Sequence, residues 1–344
     1  MACAMLVGCG ESEIGEYIKN YPETNDTVER LELNLYIITG DKTTENAKIS
    51  VSTRISGYTK SDYSTVLNVH YVTSADYEAT VNKAIKDGGK NTPHIILINS
   101  ESMINSLVKA EGGSKLADLT DYYSSKTYGR LNTQIASSLL ESSKIDGKFY
   151  SVPNNHVVDG YDYLVINKEV AVQVLHYTNE ELSSYKSLED AADLIAEMES
   201  AGYQNATELV RVVSGSYELR EQLSVDSFCN VIKVPTVTSA EAFSSAFAVV
   251  NNSEKKYNDR AMQMIYAINT DVELRNMLQY GVVGANYRVV DGNIVRVDDG
   301  NNNYDMNILH TGDVFKADYC SEIGWTKNAY DNGVKQNKDS VSDK

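Results

Sequence analysis

At 344 residues, with 42% hydrophobic and 23% charged residues, the chain is too long for one ordinary core and long enough for two domains. Its formal net charge of −17 excludes nucleic acid and anionic bilayer surfaces as main partners, since like charge repels at long range. No run approaches the roughly 18 apolar residues of a membrane span.

Tyrosine is over-represented, at 24 against 5 Phe and 1 Trp. Its ring is apolar and its end polar, so most of these residues suit half-exposed boundaries and a few suit a cleft. No CxxC occurs, and no Cys/His group has zinc-site spacing. Cys229 and Cys320 read either as buried free thiols or as one long-range disulfide.

The chain opens with MACAMLVGCGES, in which Leu6-Val7-Gly8-Cys9 has the form of a bacterial lipobox. There the cysteine is the lipidation site; no Lys or Arg precedes the apolar stretch. Residues 11–30 are polar and read as a flexible tether. Leu31 to Ile38 alternates and then turns continuously apolar, as a strand entering a buried sheet does. A helix is expected from about Thr43 to Ser56, a strand from Ser64 to Val72, and a helix over 75–86 with Ser74 as its cap. His94 to Ile98 is a third strand. This β-α-β-α-β order predicts a mostly parallel sheet, whose ligands sit beyond the strands' carboxyl ends. That rule singles out Asp41 after the first strand, and Asn99 and Glu101 after the third.

Helices are expected near 103–111 and 132–141. Then comes IDGKFYSVPNNHVVDGYDYLVINK, residues 145–168. A short strand over 149–152 stops at Pro153, which has no N–H to donate. Asn154, Asn155 and the Gly160 turn lead to a second strand over 163–167. Ser187 caps an amphipathic helix, Asp190 completes its capping box, and Gly202 ends it. Strands are expected over 209–213, 230–235 and 243–250, with a return crossing between the last two. Tyr217 follows the first of these, where a parallel sheet would again present ligand groups. Two helices, 259–268 and 271–280, precede the hairpin around Asp291-Gly292, whose central residues need positive φ.

The phrases DGK-Y-VP-N and YLVINKE resemble the inter-lobe crossing of bacterial extracellular solute-binding proteins, the family 1 type lipoprotein receptors of ABC importers. NTDVELRNMLQYG (269–281), Gly284, Tyr287, and the ending from Gly324-Trp325 to Gln336-Asn337 continue the likeness over most of 31–340. It implies an α/β, two-lobed, periplasmic-binding-protein-like fold with crossing hinge strands. The implied division is a lipobox and tether (1–30), lobe 1 (31–155), lobe 2 (156–240), a lobe 1 return (241–285) and a lobe 2 C-terminal part (286–344). About 80 residues separate the crossings, fewer than such receptors usually have, so a pared-down second lobe is implied.

The function implied is capture of a small polar solute, a sugar or oligosaccharide first, between the lobes and delivery to the permease subunits of an ABC importer. The chain would be a monomer on the extracellular face of the cytoplasmic membrane, held by a lipid on Cys9, with no cofactor and no nucleic acid. Candidate contacts are Asp41, Asn99, Glu101, Asn154, Asn155, Tyr161, Tyr217 and Trp325; each equally suits capping or packing.

Catalytic motifs are missing from the sequence. The five histidines are scattered, and no HExxH, GxSxG, GxxxxGK[ST] or GxGxxG occurs. Residues 298–305 are oxygen-rich but lack the EF-hand order, so they read as a solvated loop rather than a calcium site. A secreted hydrolase using cleft carboxylates, and a lipoprotein with a degenerate cleft, are the alternatives.

Overall fold

The computed structural model describes residues 29–297 and 300–344. The expectations at Cys9 and in the tether up to residue 28, and at Asp298-Asp299, lie outside those residues. The strands used below are β1 (Leu31–Ile38), β2 (Thr65–Val72), β3 (Ile95–Ile98), β4 (Val152–Pro153), β5 (Tyr161–Asn167), β6 (Val210–Gly215), β7 (Ser227–Lys233), β8 (Thr236–Val237), β9 (Ala246–Val249), β10 (Tyr287–Val290), β11 (Asn293–Arg296) and β12 (Val341–Ser342). The helices are α1 (Glu45–Asp62), α2 (Tyr77–Asp87), α3 (Glu101–Val108), α4 (Leu188–Ser200), α5 (Tyr217–Leu223), α6 (Lys255–Thr270), α7 (Val272–Tyr280) and α8 (Lys327–Asp339).

The chain forms two compact units. Of the described residues, unit 1 takes 29–131, then Ile145–Asn154 and Phe243–Tyr319. Unit 2 takes Asn132–Lys144, Asn155–Ala242 and Cys320–Lys344. Residues 286–319, expected with the second lobe, therefore group with unit 1. The reason is visible in their hydrogen bonds: Arg275 Nη2 donates to Ile308 O (2.9 Å), and Gln279 Nε2 to Met306 O (2.8 Å). Long polar side chains of α7 thus hold the Met306–Ile308 stretch by its carbonyls.

Unit 1 is built on a five-stranded sheet in the order β2-β1-β3-β9-β4. The first three strands are parallel, and β9 runs against both its neighbours. Seven of eight β1 positions and every position of β3 and β9 are buried. Strands covered on both faces lose the polar alternation, which explains the continuous apolar runs. Thr44 caps α1 by accepting from Ala47 N (3.3 Å), and Asp271 caps α7. The β10–β11 hairpin turns on Asp291 and Gly292, with φ of 49° and 77°, the two positive values of a type I′ turn.

Unit 2 holds a three-stranded sheet, β6-β5-β7, antiparallel throughout. The expectation of a parallel strand over 209–213 is corrected here: β6 runs back against β5. Leu164 and Ile166 on one face join Leu182, Leu194 and Met198 in a core under α4. Tyr161, Tyr163 and Val165 form a smaller cluster on the other face with Cys229. Ser187 and Asp190 complete the expected capping box of α4. The helix expected over 132–141 is instead two pieces, Leu131–Gln134 and Ser137–Ser142, broken where Ala136 N donates to Asn155 Oδ1 (3.2 Å). Cys229 and Cys320 are both buried thiols, not joined in a disulfide.

Candidate functional site

In unit 1 the carboxyl ends of the strands open locally. The β1–β3 ladder pairs Leu35 with Ile95 and Tyr36 with Ile96. At its carboxyl side the hydroxyl of Tyr77, from α2, donates to Tyr36 O and accepts from Leu97 N, both at 2.8 Å. The tyrosine stands between the strands as they part, and burial holds its hydroxyl pKa well above the usual range. Asn99 follows β3, and its buried Oδ1 accepts no hydrogen bond among the described residues. A buried acceptor left open is costly, so this atom is suited to a ligand donor. Ser100 caps α3 (Met103 N, 3.1 Å), and Glu101 lies in the first turn, where the helix dipole favours its charge.

Asp41 is exposed in the turn after β1. Its neighbours are clasped: Gly40 N and Thr43 Oγ1 donate to Asp305 O (3.0 and 2.8 Å), while Arg296 pairs with the Asp305 carboxylate (2.6 Å). The oxygen-rich loop therefore uses its carbonyls as a structural clasp. Among the described residues no carboxylate, His or Cys group has the arrangement of a metal site. Asn154 is fully buried, with Nδ2 donating to Ser245 Oγ (2.9 Å) and Leu309 O (2.8 Å). An open hollow of about 510 Å³ lies near the end of β2, lined by Tyr71, Thr73, Asp76 and Lys83 among others.

In unit 2 a second hollow, also about 510 Å³, lies where β5 starts and β6 ends. Asp159, Gly160, Asp162, Ser214, Ser216 and Lys233 line it, with Val158, Gly215, Thr236 and Gln336. Gly160 and Gly215 bring the two strand ends close; a Cβ on Gly160 would collide with the Gly215 carbonyl. The floor is held by α8. Gln336 Nε2 donates to Val158 O (2.5 Å) and its Oε1 accepts from Tyr217 N (2.9 Å). Asn337 accepts from Val158 N (3.1 Å) and donates to His156 O (2.6 Å). Glu241 Oε1 accepts from Asp159 N (2.7 Å), and burial pushes its carboxyl pKa up to about 7 against the opposing pull of that hydrogen bond.

Of the expected contacts, Asp41, Asn99 and Glu101 lie at the carboxyl end of the unit 1 sheet. Tyr217, half-buried, stands beside the unit 2 hollow with Lys335 Nζ 4.4 Å from its ring centre. Asn155, Tyr161 and Trp325 are engaged internally. Asn155 Nδ2 donates to Gln134 O (2.9 Å), and Tyr161 OH donates to Asp339 (2.9 Å) and its ring stacks on Tyr163. Trp325 is 6% exposed, packed edge-on against Tyr330. Asn154, as described, is likewise buried in hydrogen bonds. For these four, packing explains the position. Of the lining residues that the sequence did not single out, Asp162, Ser214 and Lys233 sit inside strands, Ser216 directly follows β6 and Gln336 lies on α8. The one signal for them was a glycine at each facing strand end, Gly160 and Gly215.

No protein-family model matches the chain, and no curated protein matches it. Among solved structures, the N-glycan transport solute binding protein (NgtS) of Streptococcus pneumoniae superposes with a TM-score of 0.57 at 15% identity, covering 90% of this chain and 83% of that one. The same protein in complex with Man1GlcNAc gives 0.56 at 15% identity, over 91% of this chain and 84% of that one. In complex with Man5GlcNAc it gives 0.56 at 15% identity, over 90% and 83%. At that identity the likeness is one of fold: the chain has the α/β fold of the two-lobed solute-binding proteins, as expected from its sequence.

Proposed function

We propose that this chain is an extracellular solute-binding receptor that captures a sugar or oligosaccharide and delivers it to the permease subunits of an ABC importer. The observation that carries the reading is the fold likeness, over nine-tenths of the chain, to a transport protein whose structures include two saccharide complexes. The open, polar hollow of unit 2 supports it, because hydroxyl and carboxylate groups suit a hydroxyl-rich ligand. On this reading the chain is a binding protein rather than an enzyme, monomeric, needing no cofactor or metal. It is held at the membrane's outer face through a lipid on Cys9, in keeping with the lipobox. No helix among the described residues is long and apolar enough to cross a membrane. The units are proposed as the two lobes, with Asp41, Asn99 and Glu101 as candidate contacts of unit 1 and Tyr217 of unit 2.

A thermal-shift screen against neutral sugars, oligosaccharides, peptides and polyols tests this. A ligand at a hundred times its Kd adds about 2.7 kcal/mol. For a chain of this length that is several degrees, at roughly 2–4 °C per kcal/mol. A shift with saccharides, and none of the compound consumed, is the expected result; consumption would hand the case to a hydrolase, and silence to a degenerate cleft.

A further inference from the structure

The start of β5 carries a detail that strand pairing alone does not require. Along β5 the register with β7 runs regularly from Asn167↔Ser227 to Tyr163↔Val231, then jumps to Asp162↔Lys233. Ile232 is the extra residue of a β-bulge. Without it Asp162 would stand opposite Ile232, whose side chain packs into the core under α4. With it, Asp162 stands between Ser214 on one neighbour and Lys233 on the other. A hydroxyl, a carboxylate and an ammonium thus form one cross-strand row, and all three residues line the hollow.

No charge in this row is in an ion pair among the described residues. The only side-chain partner of Asp162 among the described residues is Ser214, whose hydroxyl donates to Oδ1 at 2.5 Å. Neither Lys233 nor the carboxylate of Asp159 is in an ion pair among those residues, and no other side chain lining the hollow is charged. Two carboxylates and one ammonium therefore face the space, on a chain of net charge −17. Carboxylate oxygens accept from adjacent ligand hydroxyls, and an ammonium donates to ring and hydroxyl oxygens. A ligand bearing its own carboxylate, sulfate or phosphate meets a net negative wall, and so an unfavourable field, before any contact forms.

We infer that the Ser214–Asp162–Lys233 row, with Asp159 beside it, is a specificity-determining element of the unit 2 hollow: it admits uncharged saccharide rings and rejects saccharides that carry acidic groups. The inference rests on the receptor reading above and names the ligand class within it. Asp162 acts as both hydroxyl acceptor and charge filter, and Lys233 limits the repulsion by supplying the single donor cation.

The test is calorimetric, on the full chain, with a mannosyl-N-acetylglucosamine disaccharide and the same disaccharide oxidised at C6 to the uronic acid. If another neutral saccharide from the screen binds instead, its own C6-oxidised form is the comparison. Wild type is expected to bind the neutral compound at least tenfold more tightly, with a ratio that shrinks as salt is added. Asp162→Asn is expected to bring the ratio within about threefold, and Lys233→Met to widen it. An unchanged ratio in both variants, with neutral binding retained, overturns this inference alone. An equal loss for both ligands in Asp162→Asn makes that residue a plain contact and also overturns the filter. Failure of wild type to bind any neutral saccharide overturns the receptor reading and this inference with it. Near-ultraviolet circular dichroism separates these results from misfolding of a variant, and Asp159→Asn repeats the charge test at a position outside the strand.

Discussion

The two units organise polar groups around sheets of opposite character. In unit 1 the central strands are buried on both faces, so the polar side chains proposed as contacts, Asp41, Asn99 and Glu101, come after the strands end. In unit 2 the sheet is antiparallel and β6 is largely open, so Asp162, Ser214 and Lys233 lie within the strands themselves. The difference decides how a residue's role can be recognised. Position along one strand is enough in the first unit, whereas cross-strand register is needed in the second.

Substitutions in each unit test this difference. The largest effect is expected in unit 1 from Arg275→Leu. Arg275 is fully buried, and its Nε donates to Asp313 O (3.0 Å) and its Nη2 to Ile308 O (2.9 Å). Losing both charge-assisted bonds is expected to cost about 3 kcal/mol in urea unfolding. A cost near zero would mean that the 306–319 segment is held by other groups. Gly160→Ala comes next, in unit 2: the added Cβ meets the Gly215 carbonyl, for about 1–3 kcal/mol and a weakened solute affinity. If affinity is unchanged at normal stability, the hollow is not the binding surface.

Ser187→Ala, which removes the α4 capping box, is expected to cost about 1 kcal/mol in unit 2. Unfolding of unit 1, followed by hydrogen exchange, should stay as it was. The smallest effect is on pH dependence. The Glu241 carboxyl pKa is raised from 4.5 to about 7 in the folded chain, so the folded state binds this proton more tightly than the unfolded one. Its stabilising contribution is complete below about pH 4.5, falls as pH rises to about 7, and is flat beyond. Glu241→Gln should flatten this part of the stability profile, and a slope equal to that of wild type would show that another group carries it. Asp159, the Thr238 backbone and the His156 ring, 3.9 Å away, are among the groups that face the Glu241 carboxyl, so His156→Gln serves as the companion measurement.

The frame of unit 1 was legible because its signals are local. Leu31–Ile38 is a strand at the bounds its apolar run predicts, and Asp291-Gly292 turns where positive φ demands. Ser187 and Asp190 announce α4 by spacing alone. The fates of Asn154, Asn155 and Tyr161 were not legible, because their partners Ser245, Gln134 and Asp339 lie far away in the chain. A polar residue at a corner looks the same whether it awaits a solute or braces the corner. Strand direction was hidden too: Val210–Gly215 has the composition of a parallel strand and runs antiparallel, because β-propensity reports burial and not polarity of pairing. The bulge at Ile232, which brings Lys233 opposite Asp162, leaves no trace in composition.

Trp325 gives the chain a built-in optical label. It is the only tryptophan among 344 residues, it is 6% exposed, and it belongs to unit 2, against Tyr330. Light at the red edge of the aromatic band excites indole and spares the 24 phenols, so emission reports on unit 2 alone. Tyrosine absorbance samples both units. Melting the unmodified chain in two colours would therefore show whether the units lose their structure together or in turn, with no dye attached.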